Sequence, residues 1–507
     1  MSVASRNDYL SQTWRVLCKY YKFIGPGILV SVSYMDPGNY STSVSSGAMY
    51  EYKLLFVIFM SNIFAVILQC LCIKLGTVTG LDLAEMCRLN LPYYINLPLY
   101  ICAELAIIAT DLAEVVGTAI ALEILFGIPL VYGVLVTILD VLVVLCAYDK
   151  EGSMKQTRIF ETMVSVLVLG TCMCFILELF ECDFPPGSLL LIAKGFLPLN
   201  KQVFKEKDAI FLSCGIIGAT VMPHSLYLGS ALVQPRLKEF DLNHGFVNQD
   251  QLLDHSSDDE VLPETTNKLS FISDGSALSR KYKPSYQAIK YCLSYSYIEL
   301  IISLFVLAVF VNSSILIVAG CTLFNKPDAE DADLLSIYEM LSHYISPFAG
   351  LLFAMSMLFS GQSAGIVCTM AGQIISEGFI NWSFQPWIRR LFTRTLAIIP
   401  VLVVIMALGR EGVSKVMNSS QVILSFILPI VSAPLIYFTC QKNFMTVYDT
   451  SPINENTSLL QNDNTNSLTK YTFENGSFFR ISAILTWSII SFLNIYLLYA
   501  FANGASI

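Results

Sequence analysis

The chain has 507 residues, of which 55% are hydrophobic and only 14% charged, and its mean hydropathy is +0.62. A soluble domain carries about 25% charged residues, so a water-soluble globular protein is excluded, and the absence of basic tracts excludes a nucleic-acid binder. The net charge of −9 sits mostly in loops and tails, and the 14 cysteines, as in Cys70-Leu71-Cys72 and Cys172-Met173-Cys174, are small packing residues in apolar runs rather than disulfides or zinc ligands.

The apolar runs are continuous rather than alternating, which predicts an all-α polytopic membrane protein and not a barrel. Residues 1–22 form a short tail with Arg6, Arg15, Lys19 and Lys22 and no signal peptide. The first span, about 23–50, holds Asp36-Pro37-Gly38-Asn39 at its centre. A carboxylate at that depth costs roughly 2.5–3.5 kcal/mol on insertion scales. Pro37 removes a backbone donor and Gly38 lets the chain leave helical geometry, so the helix is expected to break half-way across. Such a break is tolerated only where the freed backbone faces protein or a wet cavity. A second span follows at about 54–76. The third, about 97–126, carries Glu104, Asp111, Glu114 and Glu123, too many acids for a lipid-facing helix, with Asp111 and Glu114 on one face. The fourth, about 129–148, contains Asp140, and the fifth runs about 160–180.

The sixth span, about 209–233, repeats the anomaly with Gly218-Ala219-Thr220-Val221-Met222-Pro223-His224. Spans seven to eleven are expected at about 290–319, 345–372, 389–409, 416–438 and 480–502. Span eight ends in a small-residue tract, Ser360 to Gly365, span nine is entered through Arg389, Arg390 and Arg394, and span ten includes Gln421. The chain thus divides into a cytosolic tail at 1–22, the first five helices plus helix six at 23–233, a flexible cytosolic loop at 234–289, helices seven to ten at 290–438, a polar cytosolic segment at 439–479, and helix eleven with the C-terminus at 480–507. Most of the 30 lysines and arginines fall on the side of the N-terminal tail, which places that side in the cytosol.

Five spans lie in each of two units, and each unit opens on a Pro-interrupted span. An odd number of spans inverts the second unit in the membrane. This is the pattern of an inverted-repeat transporter with its site between paired discontinuous helices. Asp36 and Asn39 offer oxygens, Met222 a thioether, His224 an imidazole, and Pro223 frees carbonyls near Ala219. A thioether among oxygens favours a first-row transition metal such as iron or manganese over calcium or magnesium. Asp111, Glu114 and His224 form a candidate proton relay from Asp36, with pairing of the two acids to Arg389, Arg390 or Arg394 as the plainer alternative. Two rival readings are a sodium-coupled organic-solute symporter and a metal-sensing receptor; no nucleophile–base pair or nucleotide motif points to an enzyme.

The paired motifs Asp36-Pro37-Gly38-Asn39 and Ala219-Thr220-Val221-Met222-Pro223-His224 resemble the Nramp family of proton-coupled divalent metal transporters. Asp111-Leu112-Ala113-Glu114, the Gly361-Gln362-Ser363 to Ala371-Gly372-Gln373 region and Gln421-Val422 carry the resemblance further, over about 23–438. It implies a LeuT-type 5+5 inverted repeat with discontinuous helices 1 and 6 among 11 transmembrane helices, working by alternating access as a monomeric transport unit in lipid. It implies Asp36, Asn39, Met222, the Ala219 carbonyl and, in an occluded state, Gln421 as ligands of the transported metal, with no permanent cofactor. It implies Asp36, Asp111, Glu114, His224 and the span-nine arginines in proton movement. Ser225 stands where many relatives have Asn. The run Met222 to Ser230 and the short tail resemble the fungal vacuolar-membrane branch, which returns iron to the cytosol; a plasma or endosomal membrane is the alternative.

Overall fold

The first apolar run forms two helices. In the computed structural model, which describes residues 25–147, 154–198, 206–246, 282–324, 326, 334–381, 386–409, 411–448 and 470–502, α1 (Pro26–Val32) ends in tightened turns. There the N–H groups of Ser33, Tyr34 and Met35 donate to the carbonyls of Val30, Ser31 and Val32 at 3.1, 3.0 and 3.0 Å. Asp36 is extended, at φ −72° and ψ 165°, as a following proline requires. Its carboxylate accepts the Asn39 N–H at 3.1 Å, so Asp36 is the N-cap of α2 (Pro37–Tyr50). Pro37 takes the first helical position, where its missing N–H costs nothing. The proline therefore starts the second half-helix as much as it stops the first.

Helices α3 (Leu55–Thr79), α4 (Leu83–Asn90), α5 (Tyr93–Phe126), α6 (Leu130–Ala147), α7 (Met154–Glu181) and α8 (Ser188–Gly195) follow. The sixth run then repeats the device of the first. α9 (Lys207–Thr220) ends, Val221 and Met222 leave helical geometry, and α10 (Pro223–Ala231) begins at its proline. Beyond α11 (Gln234–Asn243), the seventh span consists of α12 (Tyr286–Ser303), a π turn at Leu304–Ala308, and α13 (Val309–Thr322). α14 (Leu334–Tyr344), α15 (Pro347–Ile380), α16 (Pro386–Leu408), α17 (Glu411–Cys440) and α18 (Ser477–Ala502) complete the bundle. Nine helical runs among the described residues are long and apolar enough to cross a membrane. The first span escapes that measure because its halves have 7 and 14 residues. The number of 11 crossings stays an expectation.

Loops predicted to share a side of the membrane meet at one end of the bundle. At the end where α1 begins, called inner here, Gly80 lies against Tyr282 and Pro284, and Gly378 against Ala84 and Asp82. There too Arg158 pairs with Glu239 at 2.9 Å, and the Tyr286 ring stacks on Tyr471 at 3.9 Å. At the outer end Gly195 packs on the Tyr52 backbone, Cys321 donates to the Asp183 carbonyl at 3.4 Å, and Ser346 to Glu181 at 3.2 Å.

Two expectations are corrected. Residues 234–289 do not begin as a flexible loop: α11 is helical and anchored. Asp241 is fully buried and accepts the Ser285 N–H at 3.0 Å, the Ser285 hydroxyl at 2.5 Å and the Tyr282 hydroxyl, while Leu237 packs with Ala288 and Cys292. A buried acid looks like any other acid in a polar stretch until its partners are in place; residues 247–281 lie outside the described residues. The polar segment 439–479 carries the one sheet among the described residues. In it β1 (Thr446–Tyr448) pairs antiparallel with β2 (Lys470–Thr472), a short hairpin beside an otherwise helical bundle. Span eight runs on to Ile380, eight residues past its expected end, until Asn381 closes it in the left-handed conformation at φ 50°. Glu299, to which the sequence assigns no role, accepts the Gly25 and Gly27 N–H groups at 2.8 and 3.0 Å and pairs with Arg236 at 3.2 Å. It caps α1, which has no side-chain cap of its own.

Close approach of α9 to α17 depends on Gly218. A side chain there would drive into the Gln421 carbonyl and come within 2.7 Å of the Ser425 nitrogen. Backbone cannot yield as a flexible side chain can. Gly218→Ala is expected to destabilise the protein by about 1–3 kcal/mol, read as a lowered unfolding temperature in detergent.

Candidate metal site and the buried ion-pair network

Two helix ends supply the centre of the site. Asp36, at the start of α2, is 1% exposed, and Ala219, at the end of α9, is fully buried. Asn39 bridges them: its amide nitrogen donates to Asp36 Oδ1 at 2.6 Å and to the Ala219 carbonyl at 2.9 Å. Gln421 of α17 completes the enclosure, since any side chain on Gly38 would strike the Gln421 amide. Asp36 Oδ2 and Gln421 Oε1 are both buried without a hydrogen-bond partner among the described residues. Two orphaned oxygens beside two shared ones form a buried acceptor cluster with a single negative group. Such a cluster is costly unless something positive completes it. Met222 is fully buried at the second break, and its carbonyl accepts the Ser225 hydroxyl at 2.7 Å.

α5 passes directly behind the first break because Gly117 lies against the Pro37 ring. One and nearly two helix turns away, Glu114 and Asp111 face α16. Arg390 contacts both Asp111 oxygens, at 2.6 and 2.7 Å, and approaches Glu114 at 3.7 Å. Arg394 pairs with Glu114 at 2.9 Å and lies 3.6 Å from Asp111. Both arginines are among the largest fully buried side chains of the described chain. Their spacing of one helix turn puts them on one face. Arg389 is not part of this group: it points elsewhere around α16 and pairs with Glu104 at 2.6 Å. His224, 1% exposed, reaches the same region, with Nδ1 3.4 Å from the Thr110 hydroxyl next to Asp111. Gly365 lies against Glu114 and Gly361 against Thr118, which explains the small-residue tract of α15 as a groove for α5.

Several residues that sequence reasoning passed over belong here. Gln69 of α3 donates to the Tyr34 hydroxyl at 2.9 Å and to the Ser225 hydroxyl and carbonyl at 2.9 and 3.0 Å. Asn312 of α13 donates to the Tyr34 carbonyl at 2.8 Å. Asn418 of α17 accepts from Ser41 at 2.9 Å and donates to Ser45 at 3.2 Å. Each is an amide in a span read as membrane-crossing, and that was the signal available.

A helical membrane bundle with two interrupted helices, whose broken ends enclose a buried acceptor cluster, has the architecture of a secondary transporter of the inverted-repeat class. Residues 27–460 match the family described as natural resistance-associated macrophage protein-like, Nramp. The chain is 55% identical to the iron transporter SMF3 of Saccharomyces cerevisiae over 97% of its own length and 98% of that protein's. It is 47% identical to the manganese transporter SMF1 of the same yeast, covering 95% of this chain and 85% of that one. The crystal structure of a manganese transporter from Eremococcus coleocola superposes with a TM-score of 0.72 at 29% identity, over 97% of this chain and 90% of that chain. The chain belongs to the Nramp family and has its LeuT-type fold, and it is not an enzyme.

Proposed function

We propose that the protein carries divalent transition-metal ions, with iron and manganese favoured, toward the cytosol by alternating access coupled to protons. The observation that carries this reading is the convergence of Asp36, Asn39, the Ala219 carbonyl and Gln421 on one buried point between the broken helices. The named relatives transport iron or manganese, which supports the choice of cargo.

The hydrogen bonds give the binding step a defined form. As the structure stands, the two amide hydrogens of Asn39 are spent on Asp36 and Ala219. A cation replaces both contacts when the amide turns to present its oxygen instead. Asp36 then supplies the charge, Asn39, Ala219 and Gln421 supply neutral oxygens, and Met222 supplies sulfur. The sulfur weights the site away from calcium and magnesium, which bind oxygen alone. In the proton role, Asp36, Asp111, Glu114 and His224 line one path from the break into α5. Arg390 and Arg394 hold its acids, while Arg389 pairs with Glu104 away from it. The resemblance to the fungal vacuolar branch supports a vacuolar membrane with the N-terminus in the cytosol, where outflow of lumenal protons drives metal the same way.

Flux into proteoliposomes tests the reading. Iron or manganese uptake should proceed without sodium and rise with an imposed proton gradient; uptake that needs sodium, or ignores the gradient, would overturn it. In the same vesicles Met222→Ala should narrow the preference for manganese over calcium by about tenfold or more. Unchanged discrimination would assign that sulfur to packing.

A further inference from the structure

One carboxyl group is used by none of these arrangements. Glu178 lies near the outer end of α7, fully buried, and neither of its oxygens has a hydrogen-bond partner among the described residues. It lines a cavity of about 10 Å³ together with Val44 of α2, Phe175, Ile315 of α13, Ile337 of α14 and Phe353 of α15. That space is close to the minimum for one water molecule. The titratable groups facing it among the described residues are Cys174, one turn earlier on α7, Cys182, just past the end of α7, and Tyr40 of α2. The Tyr40 ring packs on Phe175 and Phe353 at 5.5 and 5.9 Å. What α13, α14 and α15 present to the cavity is apolar, and no cation among the described residues reaches the carboxyl.

A carboxylate with neither a counter-ion nor a donor costs several kcal/mol in such surroundings, so the group keeps its proton while the cavity is shut. The cavity is walled by helices from both repeats. α2 and α7 come from the first, and α13, α14 and α15 from the second. Separation of the repeats at the outer end would admit water to it, and a hydrated carboxyl can ionise. We propose that Glu178 is a proton-binding site linked to closure of the outer half of the bundle, separate from the Asp111, Glu114 and His224 set. The closed form holds a proton that the open form releases. Acid on the outer side therefore favours closure, and a neutral outer solution favours opening. This rests on alternating access but on neither the cargo nor proton co-transport, so it can fail while the flux experiment succeeds.

The test reads accessibility rather than transport. A Ser45→Cys reporter on α2, in the outer seam with Asn418, is alkylated in proteoliposomes by a membrane-impermeant maleimide, against a parent lacking that cysteine. Rates are normalised at each pH to those of the denatured protein, which removes the intrinsic titration of the thiol. With Glu178 in place the reporter rate should fall by about tenfold or more between pH 7.5 and pH 5, because acid populates the protonated, closed form. With Glu178→Gln it should be slow at both pH values, and with Glu178→Leu, neutral and apolar, likewise. A variant that keeps a pH response as large as the parent's, or a parent with no response, overturns the proposal. A clearly reduced response in both variants supports it.

Discussion

Asp36→Ala should abolish metal uptake, by about 100-fold or more, while the protein still folds and inserts. The argument separates two jobs of one side chain. As N-cap of α2, Asp36 accepts the Asn39 N–H at 3.1 Å, and losing a cap costs about 1 kcal/mol. Removing a buried carboxylate also relieves a desolvation cost, so the fold should survive. As the one anionic group of the acceptor cluster, however, it has no substitute. Asn39, Ala219 and Gln421 are neutral, and a divalent ion stripped of water needs charge as well as dipoles. Asp36→Asn isolates the second job, because asparagine caps a helix as well as aspartate does. Asp36→Asn should restore stability and leave uptake absent, measured by radioactive or fluorescent metal entry beside an unfolding curve. Normal uptake by the asparagine variant would remove Asp36 from the ligand set.

The second large effect falls on Arg390. Arg390→Ala should cost about 3–5 kcal/mol of stability, because it strands two buried carboxylates with one remaining arginine. The neighbouring position provides the control. Arg389 lies closer to the surface, with its side chain 9% exposed and that of its partner Glu104 16% exposed, so Arg389→Ala should cost much less. Adding Asp111→Ala to Arg390→Ala should recover part of the loss, since it removes the carboxylate left unpaired. Thermal unfolding in detergent of the three variants decides the matter; equal losses for Arg389 and Arg390 would contradict the burial argument. Because the same pairs hold Asp111 and Glu114, the Arg390 variant should also show a changed pH dependence of uptake in whatever protein survives.

Much of the site was legible in the chain because membrane burial makes polarity conspicuous. Asp36 and Met222 each precede a proline inside an apolar run, and that local chemistry alone fixes two extended residues and two restarted helices. Asp111 and Glu114 announce themselves as acids where lipid-facing helices carry none. The arginines show the limit of this reasoning. Arg389, Arg390 and Arg394 are equivalent as sequence, and only the rotation of α16 against α5 sends two of them to Asp111 and Glu114 and the third to Glu104. Asp241 was hidden for a related reason: a polar stretch gives no contrast against which one buried acid stands out.

The sequence by itself determined which runs are apolar enough to be read as membrane spans and where two of those runs break. Those features follow from hydropathy and from the backbone of proline and its preceding residue, and both act over a few neighbours. Tertiary structure alone decided that residues 39 and 219 share a hydrogen bond, that Gln421 closes over Gly38, and that Glu178 has no partner among the described residues. Each of these is set by the angle and depth at which distant helices meet, and glycines such as Gly117 and Gly218 control that approach only once their neighbours are in place.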